Sequence, residues 1–220
     1  TKREYICYLG EAEIFKKHLF DMAIRNGYGS YRQTVLISDG ATWIRNMKEE
    51  LYPDAQQILG YYHLCENISN FAKCVFNNDE LKYKPWSNTL CEIFMASKTQ
   101  EGIKMINGLE KKLLSKSKFN LIDYINNNID NIDYARYKKE GWYIGSGAID
   151  SGNKTVVQRR LKRAGVRWNQ DTGQYVLSLV SKMRSGLWEK DVVTPVRQKY
   201  ETVGAYELIG YPIKKSPANR

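Results

Sequence analysis

The stretch Val35-Leu-Ile-Ser-Asp-Gly40 decides the fold class of this 220-residue chain. Its first three residues are apolar without interruption, which favours a strand buried on both faces, as in a parallel sheet. Asp39-Gly40 then ends the strand, because this pair is common in turns. The stretch therefore predicts an α/β layer with helices on either side of it.

Helix and strand signals alternate around this stretch. The spacing of apolar residues predicts helices over residues 11–26 and 42–51. Further strands are predicted over residues 5–9 and 57–62. Residues 1–63 thus alternate strand, helix, strand, helix, strand, which is the pattern of parallel pairing in an α/β layer.

The remainder of the chain divides into three parts by composition. Residues 64–140 mix polar and apolar side chains with few β-branched runs, and we expect a helical insertion there. Within it, Asn126-Asn-Asn-Ile-Asp-Asn131 is a turn or loop by composition. Residues 141–190 are expected to complete the α/β core with a basic helix, and residues 191–220 to form a carboxyl-terminal tail.

The positive charge is concentrated in the last third of the chain. The sequence holds 34 basic and 24 acidic residues, a net charge of +10. Residues 151–220 carry 14 of the basic residues and five of the acidic ones, so they account for nearly all of the excess. Such a distribution indicates either an ordinary solvated face or a polyanionic partner such as nucleic acid.

A long helix is predicted from Gly147 to Ala164, with Ser146 as its N-cap. The helix and the segment after it carry cations in a run without acids, which suits binding to DNA phosphates. The candidate DNA-binding residues are Lys154, Arg159, Arg160, Lys162, Arg163 and Arg167. Trp168, beside the last of them, is either a stacking surface for a base or a core residue that precedes the next helix.

Two carboxylates are candidates for a metal site. Asp39 follows a buried strand, where open α/β sheets place their ligands, although an ordinary turn explains it equally. Asp150 is expected inside the apolar arc of its helix, between Ile149 and Val157, where a carboxylate must be paired, protonated or metal-bound. The alternative for Asp150 is an acid that favours the helix dipole.

The histidine His63 and the four cysteines give further indications of function and cellular environment. His63 is expected to end the third strand, where it is either structural or catalytic. The four cysteines form no Cys-x-x-Cys pair, which indicates free thiols in a reducing cytosol. The sequence contains no run of 18 apolar residues, so no membrane span is expected.

Three segments together resemble a known family. They are Ile37-Ser-Asp-Gly-Ala-Thr-Trp-Ile44, then Ile58-Leu-Gly-Tyr-Tyr-His63, then Ile144-Gly-Ser-Gly-Ala-Ile-Asp-Ser-Gly-Asn-Lys154 continuing through Arg160-Leu-Lys-Arg-Ala-Gly-Val-Arg-Trp168. Their order and spacing resemble the Kra-type bacterial insertion-sequence transposases. These are DDE transposases whose RNase H-like catalytic domain contains a helical insertion, and the resemblance covers roughly residues 5–190.

The resemblance implies a role for each matching residue. Asp39 matches the second catalytic carboxylate of the family, Asp150 the third, and His63 the histidine of an Asp/Cys-x-x-His element. The first catalytic Asp would lie on a strand before Tyr5. The third acid is usually Glu, and Gly60 stands where the family has Asp or Cys.

The implied chemistry is metal-dependent cleavage and strand transfer of DNA. Two Mg²⁺ or Mn²⁺ ions about 3.5–4 Å apart would be held by carboxylates, with Asp39 and Asp150 as the metal ligands in this chain. DNA is the expected partner, a homo-oligomer is left open, and the expected location is the cytoplasm, at the nucleoid. The alternative is a catalytically inactive fragment or remnant that binds DNA without cutting it.

Two expectations follow for the three-dimensional structure and the activity. Asp39 and Asp150 should approach each other, because a shared metal site requires it. The 220 residues alone should have little or no nuclease activity, because the family's first acid is absent from them.

Overall fold

The computed structural model describes residues 3–109, 117, 119–162 and 165–203, with side chains as far as 199. Its regular elements are mostly helices, with one pair of strands. In chain order they are α1 (Ala12–Arg25), β1 (Val35–Ser38), α2 (Thr42–Leu51), β2 (Gln56–Leu59), α3 (Tyr61–Val75), α4 (Glu80–Met95), α5 (Thr99–Asn107), α6 (Leu121–Asn126), a 3-10 turn (Ile129–Asn131), α7 (Tyr134–Lys139), α8 (Gly147–Gly152), a π-helix (Asn153–Gln158), α9 (Arg159–Leu161), α10 (Gln170–Arg184), a second π-helix (Glu189–Val193) and α11 (Thr194–Val203).

The chain forms two compact units. Unit 1 combines the described residues of 1–22 and 149–220, and unit 2 comprises those of 23–148.

The sheet of unit 2 consists of β1 and β2 in parallel, with Val35 opposite Gln56 and Ser38 opposite Leu59. The parallel pairing predicted from the apolar run is therefore confirmed. Just past the strands, the backbone N–H of Gly60 donates to the carbonyl oxygen of Ser38 over 2.8 Å. This bond places the residues after β1 and after β2 at one edge of the sheet.

Helices pack against the sheet to form the core of unit 2. Leu64, Ile68, Phe71 and Val75 recur at helical spacing along α3 and are buried. They meet side chains from β2 and from α4 to α7 in a single cluster, which includes the fully buried Phe94. The helical character expected for residues 64–140 is confirmed for those described, whereas their role as an insertion stays a prediction.

Residues 5–9, predicted as a strand, are not one. They belong to unit 1, where their backbone groups bond to side chains of α10 instead of to a neighbouring strand. The N–H of Leu9 donates to Gln174 Oε1 over 2.7 Å, and that of Tyr5 donates to Ser185 Oγ over 2.9 Å. The side chains of Gln174 and Gln170 donate in return to the carbonyl groups of Cys7 and Leu9. The sequence of this segment is typical of a strand, but its backbone forms hydrogen bonds with side chains at a helix instead of with another strand.

The small core of unit 1 lies between the extended segment 5–9, the first π-helix and α10. Val156, Leu177 and Val180 are its buried residues. Tyr5, Cys7 and Leu9 pack against them from the extended segment. The helix α10 is capped by Asn169, whose Oδ1 accepts from the N–H of Thr172 over 2.8 Å.

The long helix predicted from Gly147 to Ala164 is interrupted by the π-helix Asn153–Gln158. A π turn takes in more residues than an α turn, so it changes which side chains share a face. Gly152 and Val156 are buried, whereas Ile149 is 59% exposed. The prediction that Ile149 and Asp150 lie on the buried arc is therefore wrong, since it assumed uninterrupted α-helical spacing.

The predicted tail and the expected absence of a membrane span can also be compared with the structure. The tail predicted over 191–220 contains α11, so it begins as a helix, and residues 204–220 lie outside the described residues. Within the ranges that the structure describes, no helix is both long and apolar enough to cross a bilayer.

Candidate functional site

Asp39 lies immediately after β1, at the carboxyl edge of the parallel pair in unit 2. Its side chain is exposed, and Oδ1 accepts a hydrogen bond from the N–H of Ala41 over 3.0 Å. Gly40 follows with φ +84°, a conformation that glycine adopts without strain. Asp39 is therefore compatible both with an ordinary turn and with ligand binding at the sheet edge, because only one of its carboxylate oxygens takes part in the turn.

Three polar side chains lie near this edge with Asp39, two of them from helices and one from the turn after α6. A side chain at position 40 would begin 3.2 Å from Asn128 Oδ1, so Gly40 allows Asn128 to approach the turn closely. Asn128 is 2% exposed and donates from Nδ2 to the carbonyl oxygen of Tyr124 over 2.8 Å. Burial is the main cause that raises the pKa of the Tyr124 hydroxyl, the nearby amide of Asn67 lowers it, and the charge of Asp39 raises it. By hydrogen-bond geometry, the buried Tyr124 hydroxyl has no partner among the residues that the structure describes. We call Asp39, Asn67, Tyr124 and Asn128 the strand-end cluster.

His63 lies in the first turn of α3 and not at the end of a strand as predicted. The strand stops at Leu59, because Gly60 precedes a helix whose apolar spacing starts at Leu64. The ring still reaches the sheet edge, since a side chain at position 60 would begin 3.1 Å from His63 Cδ2 and 3.4 Å from the carbonyl oxygen of Ser38.

The two ring nitrogens of His63 face different groups. Nε2 lies 3.4 Å from the hydroxyl of Ser146, and Nδ1 lies 3.9 Å from Glu66 Oε2. A nucleophilic serine needs its base within about 2.6–3.2 Å and must be accessible to substrate. Ser146 is 6% exposed, so this arrangement fits a histidine that ties α3 to the segment before α8 better than it fits a nucleophile.

The sequence did not predict that Asn67, Tyr124 and Asn128 lie in the strand-end cluster. Asn67 follows His63 by one helical turn, a spacing that places both on one face of α3. Asn128 falls in the asparagine-rich stretch that composition marks as turn or loop, and it does lie between α6 and the 3-10 turn. A signal was available only for Asn67, from its helical spacing to His63.

The donors found here do not by themselves fit a two-metal site. Among the residues that the structure describes, no group of three or more His, Cys, Asp or Glu side chains is arranged to hold a metal ion. Asp39 is the one carboxylate of the strand-end cluster, and amide and phenol groups complete it. Two Mg²⁺ ions require several oxygen ligands, with bridging carboxylates among them.

Asp150, the other predicted metal ligand, lies in α8 with an exposed side chain. It stands in the first turn of that helix, where a carboxylate is favoured by the helix dipole. Asp39 belongs to unit 2 and Asp150 to unit 1. Their approach to each other stays a prediction.

The predicted DNA-binding side chains of unit 1 are exposed wherever they are described. Arg159 and Arg160 belong to α9 and are exposed, although Val156, three and four residues before them, is buried. Arg163 lies outside the described residues. We call the exposed set the basic face. Its members are Lys154, Arg159, Arg160, Lys162 and Arg167.

Trp168 follows the basic face and is 38% exposed, so it is not a core residue. Its Cβ lies close to Gly173, where an added side chain would begin 3.8 Å away. The ring therefore stands at the amino-terminal end of α10 with part of its surface open, which leaves a stacking role available to it.

Comparison with known proteins adds no relative. No protein family, curated protein or solved structure matches the chain. The candidate site therefore rests on the positions, burial and charges of the residues described above.

Proposed function

We propose that this chain binds DNA through the basic face of unit 1, as part of a DDE-type transposase. The observation that carries the proposal is the exposure of Lys154, Arg159, Arg160, Lys162 and Arg167 along one short stretch. Cations held on a folded helix and the loop after it can neutralise phosphates without first being released from burial.

The packing of unit 1 supports this proposal. Val156 is buried against Leu177 and Val180, so the stretch is attached to its unit by an apolar face. The cations of the stretch that the structure describes are exposed. A stretch that is anchored by a buried residue, exposes its cations and has no acidic residue from Ser151 to Trp168 suits a polyanionic partner.

The experiment is a salt titration of duplex DNA binding by the full chain. If four members of the basic face contact phosphates, the logarithm of the affinity should fall against the logarithm of salt concentration with a slope of about −3.5. Arg159→Ala/Arg160→Ala should flatten the slope by about 2, because each phosphate contact contributes about 1. It should weaken binding almost equally on all DNA sequences.

The matched control removes two exposed cations from unit 2. Lys82→Ala/Lys84→Ala changes the net charge by the same amount, but these lysines form ion pairs with Asp79 and Glu80. The control should bind DNA with the slope of the wild type. If the two double variants behave alike, the basic face is an ordinary solvated surface and the proposal fails.

For such a transposase, we propose metal-dependent strand cleavage and transfer of DNA on an RNase H-like fold. The position of Asp39 supports this, because open α/β sheets bind ligands at the carboxyl ends of their strands. In this proposal Asp39 and Asp150 contribute to binding Mg²⁺ or Mn²⁺, which would stabilise the attacking and leaving oxygens at a DNA phosphate. His63, beside the strand end, would help to position the site. The expected location is the nucleoid.

The 220 residues alone should show little nuclease activity with Mg²⁺, because the described donors are too few for the two ions. A supercoiled-plasmid cleavage assay checks this. Efficient cleavage that Asp39→Asn abolishes would mean that the chain completes a metal site with its own residues. That result would favour a self-sufficient nuclease over the DNA-binding remnant.

A further inference from the structure

Two tyrosines of unit 2 are exposed although the residues around them are anchored. Tyr62 is 69% exposed and Tyr143 is 79% exposed. The N–H of Tyr61 donates to the carbonyl oxygen of Ile144 over 2.8 Å, so the backbone is joined next to both tyrosines. Neither ring contributes its main surface to the core of unit 2, and large exposed aromatic surfaces commonly mark binding sites.

The ring of Tyr62 rests on groups that are themselves fixed. A side chain at position 145 would begin 2.9 Å from Tyr62 Cε2, so the glycine there lets the ring lie close to the backbone. The Tyr61 ring meets it edge-on, with centroids 5.9 Å apart and planes at 65°. Tyr61 is held in turn by a hydrogen bond from its hydroxyl to the carbonyl oxygen of Cys91 and by an edge-on contact with the buried Tyr134.

Tyr143 stands between two residues that face the core. The Trp142 ring stacks on the ring of the buried Tyr137, with the planes at 19°. The backbone N–H of Trp142 donates to the Tyr137 carbonyl oxygen over 2.8 Å. Ile144 packs against the same core cluster. With both neighbours turned inward, the Tyr143 ring is presented to solvent from a backbone that is held on each side.

We propose that Tyr62 and Tyr143 form a stacking platform for an unpaired DNA base, an inference that rests on the proposed DNA-binding function. A base in the middle of a duplex already has both faces stacked, so the occupant is a base at a strand end or in a single strand. Aromatic side chains bind such bases without sequence preference, because every base has a flat π surface.

The local charge favours a base over a phosphate as the occupant. Glu66 lies one helical turn after Tyr62 on α3, and Asp39 stands at the nearby sheet edge. These carboxylates repel phosphate, whereas an uncharged base is indifferent to them. The platform thus supplies in unit 2 a contact of different chemistry from the cations of unit 1.

The experiment measures binding of the full chain to a labelled single-stranded oligonucleotide and to a duplex of the same length. Tyr62→Ala/Tyr143→Ala should weaken single-strand binding by at least about tenfold, from the usual contribution of base stacking, and leave duplex binding unchanged. Tyr62→Phe/Tyr143→Phe should retain single-strand binding, because the ring surface is kept. Gly145→Ala should weaken it, since the new methyl group displaces the Tyr62 ring.

Two controls separate stacking from other effects. Tyr31→Ala removes a tyrosine of unit 2 that is 68% exposed, and it should bind like the wild type. A strand with abasic sites should bind the wild type as weakly as the intact strand binds the double alanine variant. A 2-aminopurine base in the strand should lose fluorescence on binding the wild type and not on binding that variant.

The outcomes distinguish this inference from the proposed function. The platform is overturned, and the proposed function stands, if two results occur together. Duplex binding depends on Arg159 and Arg160 as expected, but Tyr62→Ala/Tyr143→Ala lowers the affinity for single-stranded DNA no more than Tyr31→Ala does. The platform is also overturned if the phenylalanine variant loses as much as the alanine variant, or if the abasic strand binds as well as the intact one. If the wild type binds neither form of DNA, both proposals fail.

Discussion

The two units differ in how they divide core and charge. Among the residues that the structure describes, the core cluster of unit 2 has fourteen buried residues and that of unit 1 has three. In sequence, unit 2 carries 16 basic and 14 acidic residues, and unit 1 carries 18 basic and ten acidic ones. Buried apolar surface is the main source of stability, and excess charge opposes compactness. The difference indicates that unit 2 supplies most of the stability and unit 1 most of the attraction for a polyanion.

The largest expected effect is the loss of an aromatic ring from the core of unit 2. Phe94 is fully buried in α4, and Phe94→Ala should lower the free energy of unfolding by about 3–5 kcal/mol. Denaturant unfolding followed by circular dichroism measures the change. Leu81→Ala, in the same helix at 89% exposure, is the control and should stay within about 0.5 kcal/mol of the wild type. Equal effects would show that the core of unit 2 is assigned wrongly.

A smaller effect is expected from the core of unit 1. Leu177 is 1% exposed in α10, and Leu177→Ala should cost about 2–3 kcal/mol, near the lower limit for such changes, because a small core can relax around the cavity. Hydrogen exchange should accelerate at the amides of α10. Leu179→Ala, 42% exposed on the same helix, should leave that exchange unchanged. A loss as large as that of Phe94→Ala would contradict the contrast between the two cores.

The smallest effect concerns the caps of one helix in each unit. Asp79 caps α4 by accepting from the N–H of Leu81, and Asn169 caps α10. The hydrogen bond from Lys82 is the main cause that lowers the pKa of Asp79 below its ordinary value of 3.8. A lowered pKa means that this stabilisation is complete above the ordinary value and is lost as pH falls through the folded value.

Asp79→Ala should therefore destabilise the protein at pH 7 and have a shrinking effect as pH falls below the ordinary carboxyl range. Asn169→Ala should cost about 1 kcal/mol at either pH, because an amide does not titrate. Urea midpoints at pH 7 and pH 3 for the two variants and the wild type provide the comparison. A pH-independent effect of Asp79→Ala would mean that the carboxylate charge has no part in the cap.

Local sequence signals were sufficient where an element depends on its own residues. The boundaries of α2 agree with the predicted 42–51, because Thr42 to Leu51 holds a regular apolar spacing and Pro53 prevents continuation. The parallel pairing of β1 and β2 followed from the uninterrupted apolar run. The boundaries of α2 depend on residues that are close in sequence. The pairing of β1 with β2 depends on an apolar run that is favoured in a sheet buried on both faces.

Elements that depend on distant partners were not predictable in the same way. Residues 5–9 carry a strand-like pattern, yet their hydrogen-bond partners are Gln170 and Gln174, more than 160 residues away. In the candidate site, Asp39 was identified from its place after a strand. Tyr124 and Asn128 were not, because α6 and the turn after it bring them to that edge through tertiary packing.

The π-helix Asn153–Gln158 lets this stretch change its length without redirecting the cations that follow it. A π turn takes in more residues than an α turn, so deleting one residue within it would restore regular α-helical spacing and leave the following side chains in nearly the same direction. Arg159 and Arg160 would then keep their direction although the chain before them had become one residue shorter. The loss of a single codon within the π-helix is therefore compatible with an unchanged set of exposed cations.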